Sequence, residues 1–249
     1  MAQQCFEEVL KSLPESKIKI KGLELRFRPL GVSDEPACSV VETAFENPDH
    51  RCTPEKVGVI SCMDMVPISD TFTYRLTKYS KVSCGLFAVI DPHHSGPLSE
   101  IDQPTLAKLT CNDDTDAKKL ALVAHAVSTI GNSPVVTDAD MAYPKDWRNA
   151  KTNGTSHTEH GRIRTICLHS LAILPQFQGF GLGPLLMKTY VRYIEESKLA
   201  DRVALLCEDR LIPFYQKLGF ELLGPSAAQF GGGGWYDMVL EYNKEEVTA

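Results

Sequence analysis

Three glycines at alternate positions, Gly179, Gly181 and Gly183, stand at the mouth of an apolar helix in LPQFQGFGLGPLL, residues 174–186. Leu182, Leu185, Leu186, Tyr190 and Ile194 recur at steps of three and four, which predicts a helix over residues 182–197. Pro184 fits its first turn, where a missing N–H costs nothing. The first amides of such a helix lack partners inside it and its dipole favours negative charge, so the turn is a ready anion site. Glycines let the backbone approach phosphate without side chains in the way. The spacing discriminates between phosphate ligands. It is GxGxG rather than the GxGxxG of dinucleotide folds, and the Lys-Ser/Thr of a nucleoside triphosphate loop is absent, so both of those ligands are disfavoured.

The elements that position this turn follow from periodicity. The first 16 residues read as a short amphipathic helix, and KIKIKGLELRFRPL alternates like a half-buried strand or hairpin, with a first core strand from Leu23 to Pro29. A Ser-Asp cap opens a helix at about 33–46 carrying Val40, Val41, Ala44 and Phe45, and Thr53 with Pro54 opens a second, short one. SCGLFAVID and KKLALVAHAVSTI are runs fit for central strands. Two polar stretches, about 91–117 and 131–163, are longer than ordinary connections and are assigned as insertions, the second the more mobile. From Arg164 onward the pattern predicts strand 164–173, the glycine turn, helix 182–197, strand 202–207, helix 210–217, strand 219–223 and a last strand 235–242, with GGGG at 231–234 a flexible turn.

Composition bounds the rest. Twenty-six basic and 32 acidic residues give −6, with no basic block, which excludes a nucleic-acid footprint. The N-terminal residues lack the shape of a signal peptide, and no apolar run approaches the ~18 residues of a membrane helix, so no membrane partner is expected. Eight cysteines without a CxxC pair read as reduced thiols in a cytoplasmic chain. The expected organisation is a single domain over residues 1–249 with the two insertions.

Gln178-Gly179-Phe180-Gly181-Leu182-Gly183 resembles the (Gln/Arg)-x-x-Gly-x-(Gly/Ala) signature of the GNAT N-acetyltransferase superfamily, whose loop cradles the pyrophosphate of acetyl-CoA. The flanking LHSLAILPQFQGFGLGPLLM and ALLCEDRLIPFYQKLGFELLGPS are similar to the branch of serotonin (arylalkylamine) N-acetyltransferases and fungal polyamine N-acetyltransferases, over about residues 164–242. RFRPL and VVETAFENP match the first strand and helix more loosely, and the two insertions lie outside the pattern. The resemblance implies an α/β (α+β) GNAT fold: a mixed, largely antiparallel sheet, splayed where acetyl-CoA enters, with helices on both faces.

It also implies a reaction, acetyl transfer from a thioester to a small primary amine in a ternary complex, and roles within it. The amine is mostly ammonium at neutral pH, so a base must take a proton, directly or through water. His169, at the matching LHxLA position, is that base. Vertebrate relatives carry a second histidine two residues earlier; Cys167 stands there, and strand alternation puts both positions on one face. A thiol titrating near ~8.5 is a poor substitute for imidazole, and Cys167 is assigned to packing or the amine pocket. Tyr215, in IPFYQKLGF, matches the general acid that protonates the departing thiolate and also touches the cofactor. Leu171, Ala172 and Ile173 match the strand that pairs with the pantetheine arm; Gln178, Gly179, Phe180, Gly181, Leu182, Gly183 and Pro184 make the pyrophosphate cradle. Phe45 and Pro54, by looser likeness, line the amine pocket.

Other histidines carry less. His157 and His160 around Glu159, and the pair His93 and His94, lack a ligand framework at metal-site spacing, so no metal is expected. His125 lies inside a strand and reads as core. Two rivals to the small-amine reading differ in class: a protein lysine or N-terminal acetyltransferase, and a non-catalytic acyl-CoA sensor.

Overall fold

A computed structural model describes residues 17–45, 69–90, 96–112, 118–144, 146–148, 158–159 and 162–242. The helix expected at Thr53–Pro54, and His93, His94, His157 and His160, lie outside the described residues. In chain order the elements are strands β1 (Lys17–Ile20) and β2 (Leu23–Pro29), helices α1 (Glu35–Val41) and α2 (Ser69–Lys78), and strand β3 (Cys84–Val89). Helix α3 (Gln103–Leu109) and strands β4 (Thr110–Asn112) and β5 (Lys119–Gly131) follow, then helix α4 (Asp138–Met141) and strands β6 (Thr158–Glu159) and β7 (Arg162–Ile173). The chain continues through α5 (Leu182–Glu196), β8 (Ala200–Cys207), α6 (Ile212–Gln216), β9 (Glu221–Pro225) and β10 (Tyr236–Glu241). The sheet is mixed and open: β1–β2, β2–β3, β3–β5, β4–β5, β6–β7, β8–β10 and β9–β10 pair antiparallel, and β7 with β8 runs parallel. This is the α/β architecture that the glycine motif implied.

The chain divides into two compact units, residues 1–127 with 170–193 and residues 128–169 with 194–249. The first orders its strands β1-β2-β3-β5, with β4 alongside β5. Leu25, Phe27, Phe72, Leu76 and Phe87 form part of its core, each such side chain contributing about 1.5–3 kcal/mol on burial. Helix α5 is fastened here: the Tyr190 hydroxyl donates to the Val82 carbonyl at 2.9 Å and the Tyr193 hydroxyl to that of Lys81 at 3.1 Å. Arg28 donates to both carboxylate oxygens of Asp34 at 2.8 Å, and Asp34 in turn accepts from the Gly31 amide, which anchors the entrance of α1. The stretch 91–117 is not a bare loop. Asp102 caps α3 by accepting from the Thr105 amide, Leu109 is buried, and β4 extends the ladder of β5.

The second unit orders β7-β8-β10-β9. Its parallel ladder runs from Ile163↔Ala200 to Leu168↔Leu205, and β7 continues beyond that last pair to Ile173. Val136, Met141, Cys167, Ala204 and Val239 pack together as a buried cluster. Two of these come from the stretch 131–163, expected to be the more mobile insertion; its first part is therefore packed rather than loose. A box of reciprocal bonds between Thr137 and Asp140 caps α4, a device that satisfies amides the helix cannot. Strand β9 begins two residues later than its pattern predicts because Gly219, at φ 94°, belongs to the turn before it.

Candidate active site

The glycine turn is built as its spacing requires. Gly179 and Gly181 sit at φ 76° and 82°, a left-handed conformation costing a side-chain-bearing residue about 1–2 kcal/mol. Gly183 lies within α5. A Cβ placed on Gly179 would meet nothing within 4 Å, and one on Gly181 only Ile20 at 4.0 Å. The turn thus exposes backbone to open space at the start of a 15-residue helix, room that a phosphate oxygen fits. The Phe180 ring lies tilted against Phe177, centres 6.2 Å apart, and Gln178 donates to the Ile173 carbonyl at 3.3 Å. Sequence reasoning missed Lys21. Its own backbone turns left-handed at φ 46° between β1 and β2, and its ammonium donates to the Gly179 carbonyl at 2.9 Å, 5.3 Å from the Phe180 ring centre. A fixed cation beside the turn strengthens its attraction for anions.

Leu171, Ala172 and Ile173 occupy the end of β7, beyond the last pair of the parallel ladder, and the next amide, Leu174, donates to the Val123 carbonyl at 2.9 Å. Phe45 is half-buried and closes the 3-10 turn Glu42–Ala44, its amide bonded to the Glu42 carbonyl at 3.2 Å. Pro54 lies outside the described residues.

His169 is half-buried on β7. Its Nε2 lies 2.6 Å from the Thr129 hydroxyl and its Nδ1 3.0 Å from the Met141 sulfur. Neither contact has a sequence signature: Thr129 sits in an apolar run, and Met141 in the presumed insertion. Cys167 is fully buried among Val136, Met141, Ala204 and Val239. Enclosed by these side chains, the thiol packs. It shares a face with His169, as alternation predicts, since both reach Met141.

Tyr215 is buried on α6 between Phe214 and Phe220, ring centres 4.9 and 5.6 Å away. Burial, with a smaller repulsion from Cys207, pushes its phenol well above the ordinary tyrosine range, so the hydroxyl keeps its proton at neutral pH. Cys207 is itself pushed up to about 11, by burial first and by Glu208 and Asp209 second.

A second polar cluster, unread in the sequence, surrounds His125 in the first unit. His125 Nε2 lies 2.9 Å from both Glu42 Oε2 and Ser170 Oγ, and Ser170 donates to the same carboxylate oxygen at 2.7 Å. All three are fully buried. The residue types are those of a nucleophilic triad, but that relay needs serine and carboxylate on opposite ring nitrogens. Here both crowd Nε2, while Nδ1 is buried without a hydrogen-bond partner. Among the described residues no three His, Cys, Asp or Glu side chains gather as a metal site would.

Residues 142–242 match the family model of the acetyltransferase (GNAT) domain. Serotonin N-acetyltransferase of Macaca mulatta is 39% identical over 77 residues, which cover 31% of this chain and 37% of that enzyme. The Homo sapiens enzyme is 38% identical over the same length, covering 31% and 36%. The matched segment thus spans little more than a third of these relatives. Among solved structures, the GNAT-like decarboxylase GphF in complex with isobutyryl-CoA superposes with a TM-score of 0.50 at 12% identity, covering 88% of this chain and 100% of that one, which speaks to the fold alone. The glycine turn, His169 and Tyr215 all fall inside residues 142–242, the part of the chain that is similar to the GNAT acetyltransferase domain and, over 77 residues, to serotonin N-acetyltransferase.

Proposed function

We propose that this chain transfers an acetyl group from acetyl-CoA to a small primary amine, an arylalkylamine or a polyamine, by direct attack in a ternary complex. The observation that carries the reading is the glycine turn: two left-handed glycines with open space before them, at the start of a long helix, inside the matched GNAT segment. The turn's free amides and Lys21 hold the diphosphate. The backbone of Leu171–Ile173, past the end of the parallel ladder, serves as a strand for the pantetheine arm.

His169 takes a proton from the amine, and the freed nitrogen attacks the thioester carbonyl. The carbon–sulfur bond breaks, and Tyr215, kept protonated by its burial, gives its proton to the departing thiolate. The phenolate left behind is reprotonated from solvent. Burial raises the Cys38 and Cys84 thiols well above the ordinary range, so both stay protonated; what supports a place in the reducing cytosol is the set of eight cysteines without a CxxC pair.

The test offers tryptamine, phenylethylamine, spermidine and a panel of lysine and N-terminal peptides, with free CoA as the readout. Release with one of the small amines is expected. Release with peptides alone moves the substrate class to protein, and calorimetric binding of acetyl-CoA without turnover on any acceptor makes the chain a sensor. No heat on mixing with coenzyme A overturns the reading altogether.

A further inference from the structure

Two contacts of the His169 ring, with Thr129 at Nε2 and Met141 at Nδ1, are asymmetric in a way that decides its chemistry. A thioether carries no proton and only accepts. At 3.0 Å from the Met141 sulfur, Nδ1 must therefore be the protonated nitrogen. In the neutral ring this leaves the lone pair on Nε2, 2.6 Å from the Thr129 hydroxyl, which then donates to it. When the ring gains a proton, Nε2–H donates to the same hydroxyl oxygen and Nδ1–H keeps its sulfur, so neither contact has to break. The one state that the surroundings disfavour is the neutral ring protonated on Nε2, in which two lone pairs would face each other at Nδ1 and sulfur. Which nitrogen of a histidine is basic is set by the bond the other one makes.

We propose that Met141 is a positioning residue that makes Nε2 the basic atom of His169, and that Thr129 is the hydroxyl through which the proton arrives. A hydroxyl donates and accepts at once. As the N–H bond of the amine breaks, a new O–H bond forms on Thr129, and the proton that Thr129 already held forms the N–H bond on Nε2. The positive charge ends on the imidazolium, and threonine is regenerated.

Met141 is held for this purpose by its own segment. It ends α4, whose start is closed by the Thr137–Asp140 box. Asp138 accepts from the Gln229 amide at 2.9 Å and the Phe230 amide at 2.8 Å, fastening the helical turn to the loop before β10. Thr137, Asp138, Asp140 and Met141 all belong to the stretch outside the GNAT pattern. The segment that looks like an insertion thus supplies the partner that orients the base, in a chain where Cys167 replaces the second histidine of vertebrate relatives. The catalytic consequence rests on the acetyl-transfer reading; the tautomer does not.

The experiment is long-range 15N NMR of the full chain labelled at its seven histidines, with His169 assigned by the signals missing in His169→Gln. The expected spectrum has a protonated Nδ1 and an unprotonated Nε2 in the neutral ring, and Met141→Leu, close in volume, moves the proton toward Nε2, the nitrogen favoured by a histidine free in water. An Nε2–H tautomer in the wild type, or a spectrum that Met141→Leu leaves unchanged, overturns the proposal. In the kinetic arm, Thr129→Val lowers kcat by about 100-fold while the KM for acetyl-CoA moves less than about twofold, and Thr129→Ser restores the rate. Wild-type turnover in Thr129→Val overturns the relay. A wild type with the expected spectrum that acetylates no amine upholds the tautomer and overturns only the acetyl-transfer reading.

Discussion

The surroundings of His125 and of His169 obey opposite rules. His125 is completely enclosed, and its Nε2 meets a carboxylate and a hydroxyl that are themselves bonded to each other. His169 is half-buried, and its two nitrogens meet a hydroxyl and a thioether. In the first region three polar groups bond to one another around Nε2, with Nδ1 buried and unpaired, and join the turn after α1 to β5 and β7; moving a proton there would disturb a buried charge, which is expensive. In the second, a proton can be gained with the same partners kept. Two histidines on long strands thus divide into a fastening and the base of the proposed reaction, and the difference lies in the neighbours.

The largest effect should come from cutting the fastening. Glu42→Ala leaves His125 and Ser170 buried beside an emptied space, and a loss of about 3–5 kcal/mol in unfolding free energy is expected, measured by denaturant titration. A loss below about 1 kcal/mol would mean that the cluster holds little. The reciprocal change, His169→Gln, should lower kcat by about 10²–10³-fold while the melting temperature moves by only a few degrees. His125→Gln reverses the pattern, costing about 1–3 kcal/mol of stability with turnover of the folded protein kept. If the two histidine variants lose activity and stability alike, the contrast fails.

Tyr215 sharpens the same distinction, because it too is held by uncharged neighbours. Tyr215→Phe should lower kcat by about 100-fold with acetyl-CoA binding nearly unaltered. Burial raises its phenol above the ordinary value, so the protonated form persists as pH rises. The rate should therefore show no alkaline fall from loss of this acid until beyond about pH 10, the ordinary tyrosine value. A falling limb below about pH 9 that disappears in Tyr215→Phe would remove it as the acid.

Much of this was legible in the residues, and for identifiable reasons. The glycine turn and α5 were readable because left-handed backbone and a 3.6-residue apolar repeat leave marks in the sequence, and β2 matches its expected span, Leu23–Pro29, for the same kind of reason. Helix α2 left a weaker mark: Phe72 and Leu76 are one turn apart and buried, but Thr71 and Thr73 between and beside them favour strands. Helix α3 had its signal in Asp102 and Pro104, an N-cap and a first-turn proline, obscured by the polar residues around them. Met141, Thr129, Lys21 and the Glu42–Ser170 pair left none. Each acts through a contact made only when distant stretches meet: 28 residues separate Met141 from His169 and 128 separate Glu42 from Ser170. Periodicity reports which face a residue occupies, and it is silent about which partner waits there.

The smallest expected effect tests how finely the His169 region is fitted. A Cβ on Gly131 would stand 2.6 Å from the Cys167 sulfur and 3.0 Å from Asp140 Oδ1, so the end of β5 has to be bare for α4 to close over the cluster that holds Met141. Gly131→Ala should cost about 1–2 kcal/mol and lower kcat several-fold by displacing the thioether from Nδ1. Cys167→Ala alone leaves a small cavity costing about 1 kcal/mol. The double variant gives the new methyl the volume that the sulfur vacates, so its cost should fall short of the sum by about 1 kcal/mol, and part of the lost turnover should return. Additive costs would mean that the clash is relieved elsewhere and that Met141 does not depend on this clearance. Thermal melts and kcat for the four proteins decide it.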